Sequence, residues 1–386
     1  MRIFYCNHCD HRVFFDNVRC TSCGSMLAYL PDEQTIGVLL PQADATYFTL
    51  ANERRYRLCQ NAIEHALCTW AVPIDEGQIF CRACRLNETI PDLSQAEAKE
   101  AWASLERAKR WLLCNLFSLG LPITERLSPH GLRFSFKADN PGEQVFTGQS
   151  NGLITINIAE ANDPFREKIR QQLGETYRTL LGHFRHEIGH YYWDQLIKDS
   201  PRLGAYRALF GDERASYDEA RDRHYKKGAP GDWPARYVSA YATMHPWEDW
   251  AETWAHYLHI VDTLESARQH KLVMEEEREK DRASQVQAAA IDFSDFEALI
   301  STWLPFTIAL NSLNRSMGLS DAYPFVLSQK AIDKLRYVHA VIQEVRNAPQ
   351  PSAAATPLPP AAAAPALQPL PPAMKPVSAQ AQAQPA

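Results

Sequence analysis

Apolar residues recur at three- and four-residue steps over much of the chain between residues 97 and 345, the period of helices with one buried face. In the clearest stretch, 97–117, these positions are Trp102, Leu105, Ala108, Trp111 and Leu112. Two shorter stretches, 132–136 and 153–159, alternate apolar and polar residues and so predict strands. The pattern therefore predicts an α+β protein that is mostly helical and has a small sheet.

A second helical pattern carries metal-binding side chains. Its apolar positions are Tyr177, Leu180, Leu181, Phe184 and Ile188. Residues four apart lie one above the other on a helix, so His186 and His190 can present two imidazoles to one ion. Glu187 leans over the same opening, and Gly189 leaves room for another backbone or a substrate. This H-E-x-x-H pattern is typical of zinc peptidases, although a solvated helix can carry the same letters by chance.

The motif leaves the third metal ligand open. A metzincin would continue with a glycine and a third histidine, but Trp193 and Leu196 occupy those positions, which excludes that subclass. His183 lies on nearly the same helix face as His186, and His224 follows in a charged segment. Either histidine is a candidate, although a lone histidine more often packs or faces solvent.

A downstream segment offers carboxylates. Pro246 has the fixed dihedral angle that suits the first position of a helix, and Glu248, Glu252 and His256 then lie on one helix face at successive turns. We expect this face to supply the missing ligand.

These motifs resemble known metallopeptidases. The pairing of residues 186–190 with Tyr241, Glu248 and Glu252 resembles the catalytic domain of anthrax lethal factor, a gluzincin. Most of residues 1–345 resembles a bacterial family of zinc-binding metallopeptidases that carry an N-terminal zinc ribbon. The matching segments are 186–194, 210–213, 239–256 and 321–325.

The resemblance implies a zincin-like fold and a zinc-dependent peptidase activity on a peptide or protein substrate. It implies that Glu248 is the third ligand beside His186 and His190. Glu187 would then be the general base that activates the water bound by the catalytic zinc.

The resemblance also implies supporting roles. Tyr241 would donate its hydroxyl to the oxyanion, although a tyrosine in such an aromatic-rich segment also fits simple packing. Glu252 would accept a hydrogen bond from the imidazole of a ligand histidine and so fix its orientation. Asp194 is expected to support the ligands in the same way.

Eight of the nine cysteines lie in residues 1–84. Cys6 and Cys9 form one two-residue knuckle and Cys20 and Cys23 another, a spacing that predicts a structural zinc site of four thiolates. Disulfide bonds are the alternative, and His8 or His11 could replace one thiolate.

A second group comprises Cys59, Cys68, Cys81 and Cys84, for which we expect a second structural zinc. Its spacing is less regular, so buried free thiols remain an alternative, with His65 as a substitute ligand. Cys114 lies within the helical stretch 97–117 and is expected in the core. In total, the sequence predicts one catalytic zinc and one or two structural zinc ions.

The composition limits the other functions. A net charge of −6 argues against a nucleic-acid-binding surface, and the longest apolar runs are too short to cross a membrane. The N-terminus runs straight into the first knuckle without an apolar signal segment, so a cytoplasmic location is expected. An inert adaptor, whose ribbon binds a protein or nucleic acid, is the alternative to a peptidase.

We expect three regions: a zinc-ribbon-like region with two four-cysteine sites (1–90), a zincin-like metallopeptidase domain (91–346) and a Pro/Ala-rich disordered tail (347–386). The strand expected at 152–158 precedes the metal helix and could be the cleft-edge strand that binds substrate, or an ordinary internal strand. The ribbon or the tail could bind a protein partner.

The tail should be dispensable for folding. Lys375 is its only charge, and eleven of the 25 prolines lie from Pro349 onwards, so it cannot form a core. Truncation after Ala348 should leave the melting temperature unchanged within error. A drop of several degrees would contradict this prediction.

Overall fold

The computed structural model describes residues 2–124, 126–140, 142, 144–173, 178–276, 284–287 and 291–348 of the 386-residue chain. The predicted tail lies outside these residues, apart from its first two positions.

The described strands lie in four sheets. They are β1 (Phe4–Tyr5), β2 (Arg12–Val13), β3 (Leu27–Leu30), β4 (Thr35–Pro41), β5 (Tyr47–Thr49), β6 (Arg55–Leu58), β7 (Ala71–Pro73), β8 (Asn87–Thr89), β9 (Arg133–Lys137), β10 (Gly148–Ser150), β11 (Leu153–Asn157), β12 (Val273–Glu276) and β13 (Ser284–Gln287).

Helices fill most of the second half of the described chain. They are α1 (Gln60–His65), α2 (Ala96–Ser118), α3 (Asp163–Leu173), α4 (Leu180–Leu196), α5 (Leu203–Phe210), α6 (Tyr217–Lys227), α7 (Pro246–Gln269), α8 (Phe296–Ser316) and α9 (Gln329–Asn347). The predicted α+β architecture, mostly helical after an N-terminal ribbon, is confirmed.

The N-terminal region is a β structure. The hairpin β1–β2 precedes an antiparallel five-stranded sheet in the order β3-β4-β5-β6-β7. Gly37 lies where this sheet is tightest, because a β carbon there would approach the Thr49 hydroxyl to 2.6 Å. The N-terminal region packs onto α2 through aromatic side chains, among them Phe15 against Trp111 with ring centroids 4.4 Å apart.

The second sheet has the order β10-β11-β9-β8. Strand β11 pairs in parallel with β9 on one side and antiparallel with β10 on the other. The stretch 152–158 is therefore internal, and the proposal that it forms the cleft edge is wrong. Its two buried isoleucines, Ile154 and Ile156, oppose Phe134 and Phe136 across the ladder. Strand β10 is the edge on the side of α4.

Two helices, α4 and α7, cross at close range. A β carbon on Gly189 would lie 3.0 Å from the Ala251 α carbon, tighter than most real contacts, so glycine allows this approach without a shift of α7. The Trp250 indole donates to the Gly189 carbonyl at 2.9 Å across the same contact. The expected role of Gly189 in admitting another backbone is thus confirmed.

Helix α7 begins where the sequence predicts it. Pro246 occupies the first turn, and the His245 side chain caps the helix by accepting a hydrogen bond from the Trp247 amide at 3.1 Å. The charged run 275–282 begins on a strand, because Glu275 lies in β12 and pairs with Gln285 of β13; residues 277–282 lie outside the described chain.

Among the described residues, no helix is long and apolar enough to cross a membrane.

A buried polar network joins α2 to β8. Glu106 accepts hydrogen bonds from the Asn87 amide at 2.7 Å, the Trp102 indole at 3.2 Å and the Lys109 ammonium at 2.8 Å. The side chains of Lys109 and Glu106 are 0% and 1% exposed. A buried ion pair of this kind is costly to break, because without Lys109 the Glu106 carboxylate keeps only the more distant Arg110 guanidinium, at 3.9 Å.

Replacing Lys109 with methionine should therefore lower the free energy of unfolding by about 3–5 kcal/mol, measured by urea denaturation. Lys99→Met, at an exposed position of the same helix, is the matched control and should change it by less than about 0.5 kcal/mol. Equal effects of the two variants would contradict the network's role.

Candidate metal centres

Helices α4 and α7 bring three donor side chains together. His186, His190 and Glu248 each offer one ligand atom, and these atoms lie within 4.8 Å of one another. Glu248 Oε2 is 3.0 Å from His186 Nε2 and 3.4 Å from His190 Nε2, and the two nitrogens are 3.1 Å apart. All three residues are buried. Two imidazoles and one carboxylate form the donor set of many catalytic zinc sites, so these residues fit zinc.

The charges of these residues favour a bound cation. Burial alone would lower the pKa of His186, but hydrogen bonds and charges from Glu248 and Glu252 raise it well above its usual value. Burial would likewise raise the pKa of Glu248, but the neighbouring His190 and His186 imidazoles instead hold it well below its usual value. The cluster therefore attracts positive charge, either a proton or a metal ion.

Glu252 lies one turn after Glu248 and faces the other side of a ligand histidine. Its Oε1 accepts a hydrogen bond from His186 Nδ1 at 2.7 Å, and its Oε2 accepts one from the Ser239 hydroxyl at 2.5 Å. These contacts outweigh burial and lower the pKa of Glu252 to about 2. Because Nδ1 is engaged in this way, His186 directs Nε2 towards Glu248.

His190 is held differently. The indole of Trp247 stacks on its ring, with centroids 3.7 Å apart, and its Nδ1 is buried with no hydrogen-bond partner among the described residues. Asp194, expected to support the ligands, instead accepts a hydrogen bond from Gln149 of β10 at 3.2 Å. The Asp194 carboxylate thus links the metal helix to the sheet edge.

Glu187 directly follows His186 on α4 and is buried. It is 4% exposed, and its Oε2 has no hydrogen-bond partner within the described chain. A buried carboxylate oxygen without a partner is costly, and in native proteins it calls for a functional explanation.

Tyr241 also lies at the cluster, with its ring centroid 5.9 Å from that of His186. Burial, followed by the Glu248 charge, raises its pKa well above the usual value, so its hydroxyl keeps its proton and remains a donor.

The other candidate histidines belong elsewhere. His183 Nδ1 lies 3.5 Å from Glu160, and His256 Nδ1 lies 2.7 Å from the Tyr323 hydroxyl. His224 lies beside Tyr241 without joining the three donors, at 5.8 Å between ring centroids.

Sequence reasoning missed Tyr217. Its hydroxyl donates to Glu248 Oε1 at 2.8 Å, although it lies on α6, between the two metal helices in the chain. The sequence offers only a weak signal for it, an aromatic residue in the first turn of an otherwise charged helix.

The first cysteine group comes together at the two knuckles. The Cys6 and Cys23 sulfurs are 3.7 Å apart, and those of Cys9 and Cys20 are 3.6 Å apart. A disulfide would require about 2.05 Å. Four sulfurs around a tetrahedral zinc, with Zn–S bonds of about 2.3 Å, would lie about 3.8 Å apart, which these distances approach.

The second group is fully buried, with Cys68 and Cys81 sulfurs 3.6 Å apart. Its sulfurs accept from backbone amides, as Cys59 does from the Cys81 amide at 3.4 Å. Burial raises the pKa of the Cys81 thiol, so ionisation there requires a nearby cation. The guanidinium of Arg110 on α2 is also buried, and the charges of Cys68, Cys81 and Cys84 act on its pKa.

We expect zinc at both cysteine groups. In the full chain, Cys23→Ser and Cys81→Ser should each lower the bound zinc by one ion per chain, measured by elemental mass spectrometry. Cys114→Ser, whose thiol contacts Tyr29 outside both groups, is the matched control and should leave the count unchanged. A full count in Cys81→Ser would identify the second group as a packing cluster.

Comparisons with known proteins agree with these centres. The family model described as "Putative zinc-binding metallo-peptidase" matches residues 98–341, and a zinc-ribbon domain model matches residues 3–95. Similar proteins include uncharacterized proteins from two strains of Mycobacterium tuberculosis and one of Mycobacterium bovis. Each is 41% identical over 348 residues, which cover 89% of this chain and 96% of the relative. No solved structure matches the chain.

Proposed function

The chain belongs to this family of zinc-binding metallopeptidases, and from that premise we propose that it hydrolyses peptide bonds with the gluzincin arrangement of residues. His186, His190 and Glu248 would hold the catalytic zinc, while the two cysteine groups hold structural zinc ions. Zinc held by His186, His190 and Glu248 would lower the pKa of a bound water and would act as a Lewis acid on the scissile carbonyl.

The residues around the site divide the remaining chemistry. Glu187 takes a proton from the attacking water and passes it to the leaving amine. Tyr241 donates its hydroxyl to the developing oxyanion. Glu252 fixes the orientation of His186. The substrate backbone pairs with the edge strand β10, which Gln149 and Asp194 fasten to α4.

The observation that carries this proposal is the Glu187 carboxylate, which is buried directly after His186 on α4 and has one oxygen without a partner among the described residues. An inert adaptor has no use for this carboxylate, and burying it would only cost stability. A proton-transfer role accounts for it, so we favour the peptidase over the adaptor.

Three substitutions separate the roles. Glu248→Gln should abolish zinc binding at the catalytic site and leave the cysteine-bound zinc in place. Glu252→Gln should keep the catalytic zinc but bind it about 10–100-fold more weakly. Glu187→Gln should retain zinc fully and lose turnover of an unfolded protein substrate such as casein.

Glu265→Gln, on the same helix as Glu248 but paired with Arg268, is the matched control and should preserve both zinc and turnover. If Glu248→Gln kept the catalytic zinc while Glu252→Gln released it, the ligand assignment would be wrong by one helical turn. Full turnover in Glu187→Gln would show that Glu187 is not the general base, whereas a wild-type chain without turnover would favour the adaptor.

A further inference from the structure

The two carboxylate oxygens of Glu248 have different surroundings. Oε2 faces both histidine Nε2 atoms, at 3.0 and 3.4 Å. Oε1 accepts a hydrogen bond from the Tyr217 hydroxyl at 2.8 Å. Tyr217 thus occupies the oxygen that does not face the two histidine nitrogens.

Tyr217 is held in place by its own segment. It is the first residue of α6, and the Ser216 hydroxyl caps this helix by accepting from the Glu219 amide at 3.3 Å. The preceding turn packs against the start of α7, because a β carbon on Gly211 would lie only 3.1 Å from Pro246.

His245 ties the same two segments together. Its Nδ1 accepts a hydrogen bond from the Trp247 amide, so a neutral ring carries its proton on Nε2. Nε2 lies 3.0 Å from the Ala215 carbonyl and donates to it. One imidazole therefore caps the helix that carries Glu248 and tethers the loop that leads into Tyr217.

We propose that Tyr217 is a positioning residue for the third metal ligand, holding Oε1 of Glu248 so that the carboxylate binds the metal through Oε2 alone. The inference rests on the proposed function in requiring a metal ion at this site. A carboxylate that binds through both oxygens would take up the coordination position that a catalytic zinc keeps open for water.

This role differs from that of Tyr241. A phenol carries one proton, and while Tyr217 donates it to Glu248 it has none for an oxyanion. Tyr241 lies beside His186 and His224, with ring centroids 5.9 and 5.8 Å away, and its hydroxyl also contacts that of Tyr217. The two tyrosines therefore divide ligand orientation and oxyanion donation between them.

The test is Tyr217→Phe in the full chain, with Tyr225→Phe on the exposed side of the same helix as the matched control. Competition with a chelator should show the catalytic site of Tyr217→Phe binding zinc about 10–100-fold more weakly, while Tyr225→Phe binds it normally. Cadmium-113 NMR gives a second readout, because cadmium bound by nitrogen and oxygen resonates apart from cadmium bound by thiolates. The nitrogen- and oxygen-bound signal should shift in Tyr217→Phe alone.

A second variant guards against misfolding. His245→Asn keeps a good helix cap but cannot reach Ala215, so it should weaken zinc binding in the same direction. If the signals of thiolate-bound cadmium also change in Tyr217→Phe, that variant is misfolded. The zinc affinity of His245→Asn then tests the inference: weaker binding supports it and normal binding contradicts it.

Normal affinity and an unshifted signal in Tyr217→Phe would overturn the inference while leaving the proposed function intact. A wild-type chain without any nitrogen- and oxygen-bound cadmium would instead overturn the proposed function, and the role of Tyr217 with it.

Discussion

The close crossing of α4 and α7 is the constraint on which the candidate site depends. His186 and His190 lie on one helix and Glu248 on the other, so the three donors meet only if the two backbones approach closely. Gly189 permits that approach, since a β carbon there would lie only 3.0 Å from the Ala251 α carbon and would force α7 to shift. The Trp250 indole, bonded to the Gly189 carbonyl, fixes how the helices are aligned. Gly189, which directly precedes His190, therefore controls the approach on which all three donors depend.

Once the helices meet, buried charges fix the surroundings of the site. Asp249, next to Glu248, pairs with Lys334 of α9 at 2.5 Å, and Arg185, next to His186, pairs with Asp262 at 2.7 Å. Breaking a buried pair strands a charge, so these contacts specify one arrangement of α4, α7 and α9. On both α4 and α7, one metal-ligand residue is thus adjacent in sequence to a charged residue that is paired with a different helix.

The parts of the site that could be predicted from the sequence are those set by local spacing. The histidines four apart, the cysteine knuckles and the helix beginning at Pro246 all follow from distances along one element. The edge position of β10 and the contact of Tyr217 with Glu248 depend on which elements pair in space. No periodicity in residues 148–158 distinguishes an edge from an internal strand, and nothing in the α6 sequence indicates which carboxylate Tyr217 reaches.

Helix α2 connects the ribbon to the metal helices. Midway along the helix lie Lys109 and Arg110, whose charges lie at β8 and at the second cysteine group. Further along, Asn115 accepts from Arg185 at 3.3 Å and donates to Asp262 at 2.9 Å. Arg185 directly precedes His186 on α4. One continuous helix thus carries Arg110, whose pKa responds to the second cysteine group, and Asn115, which contacts the residue directly before the first metal ligand.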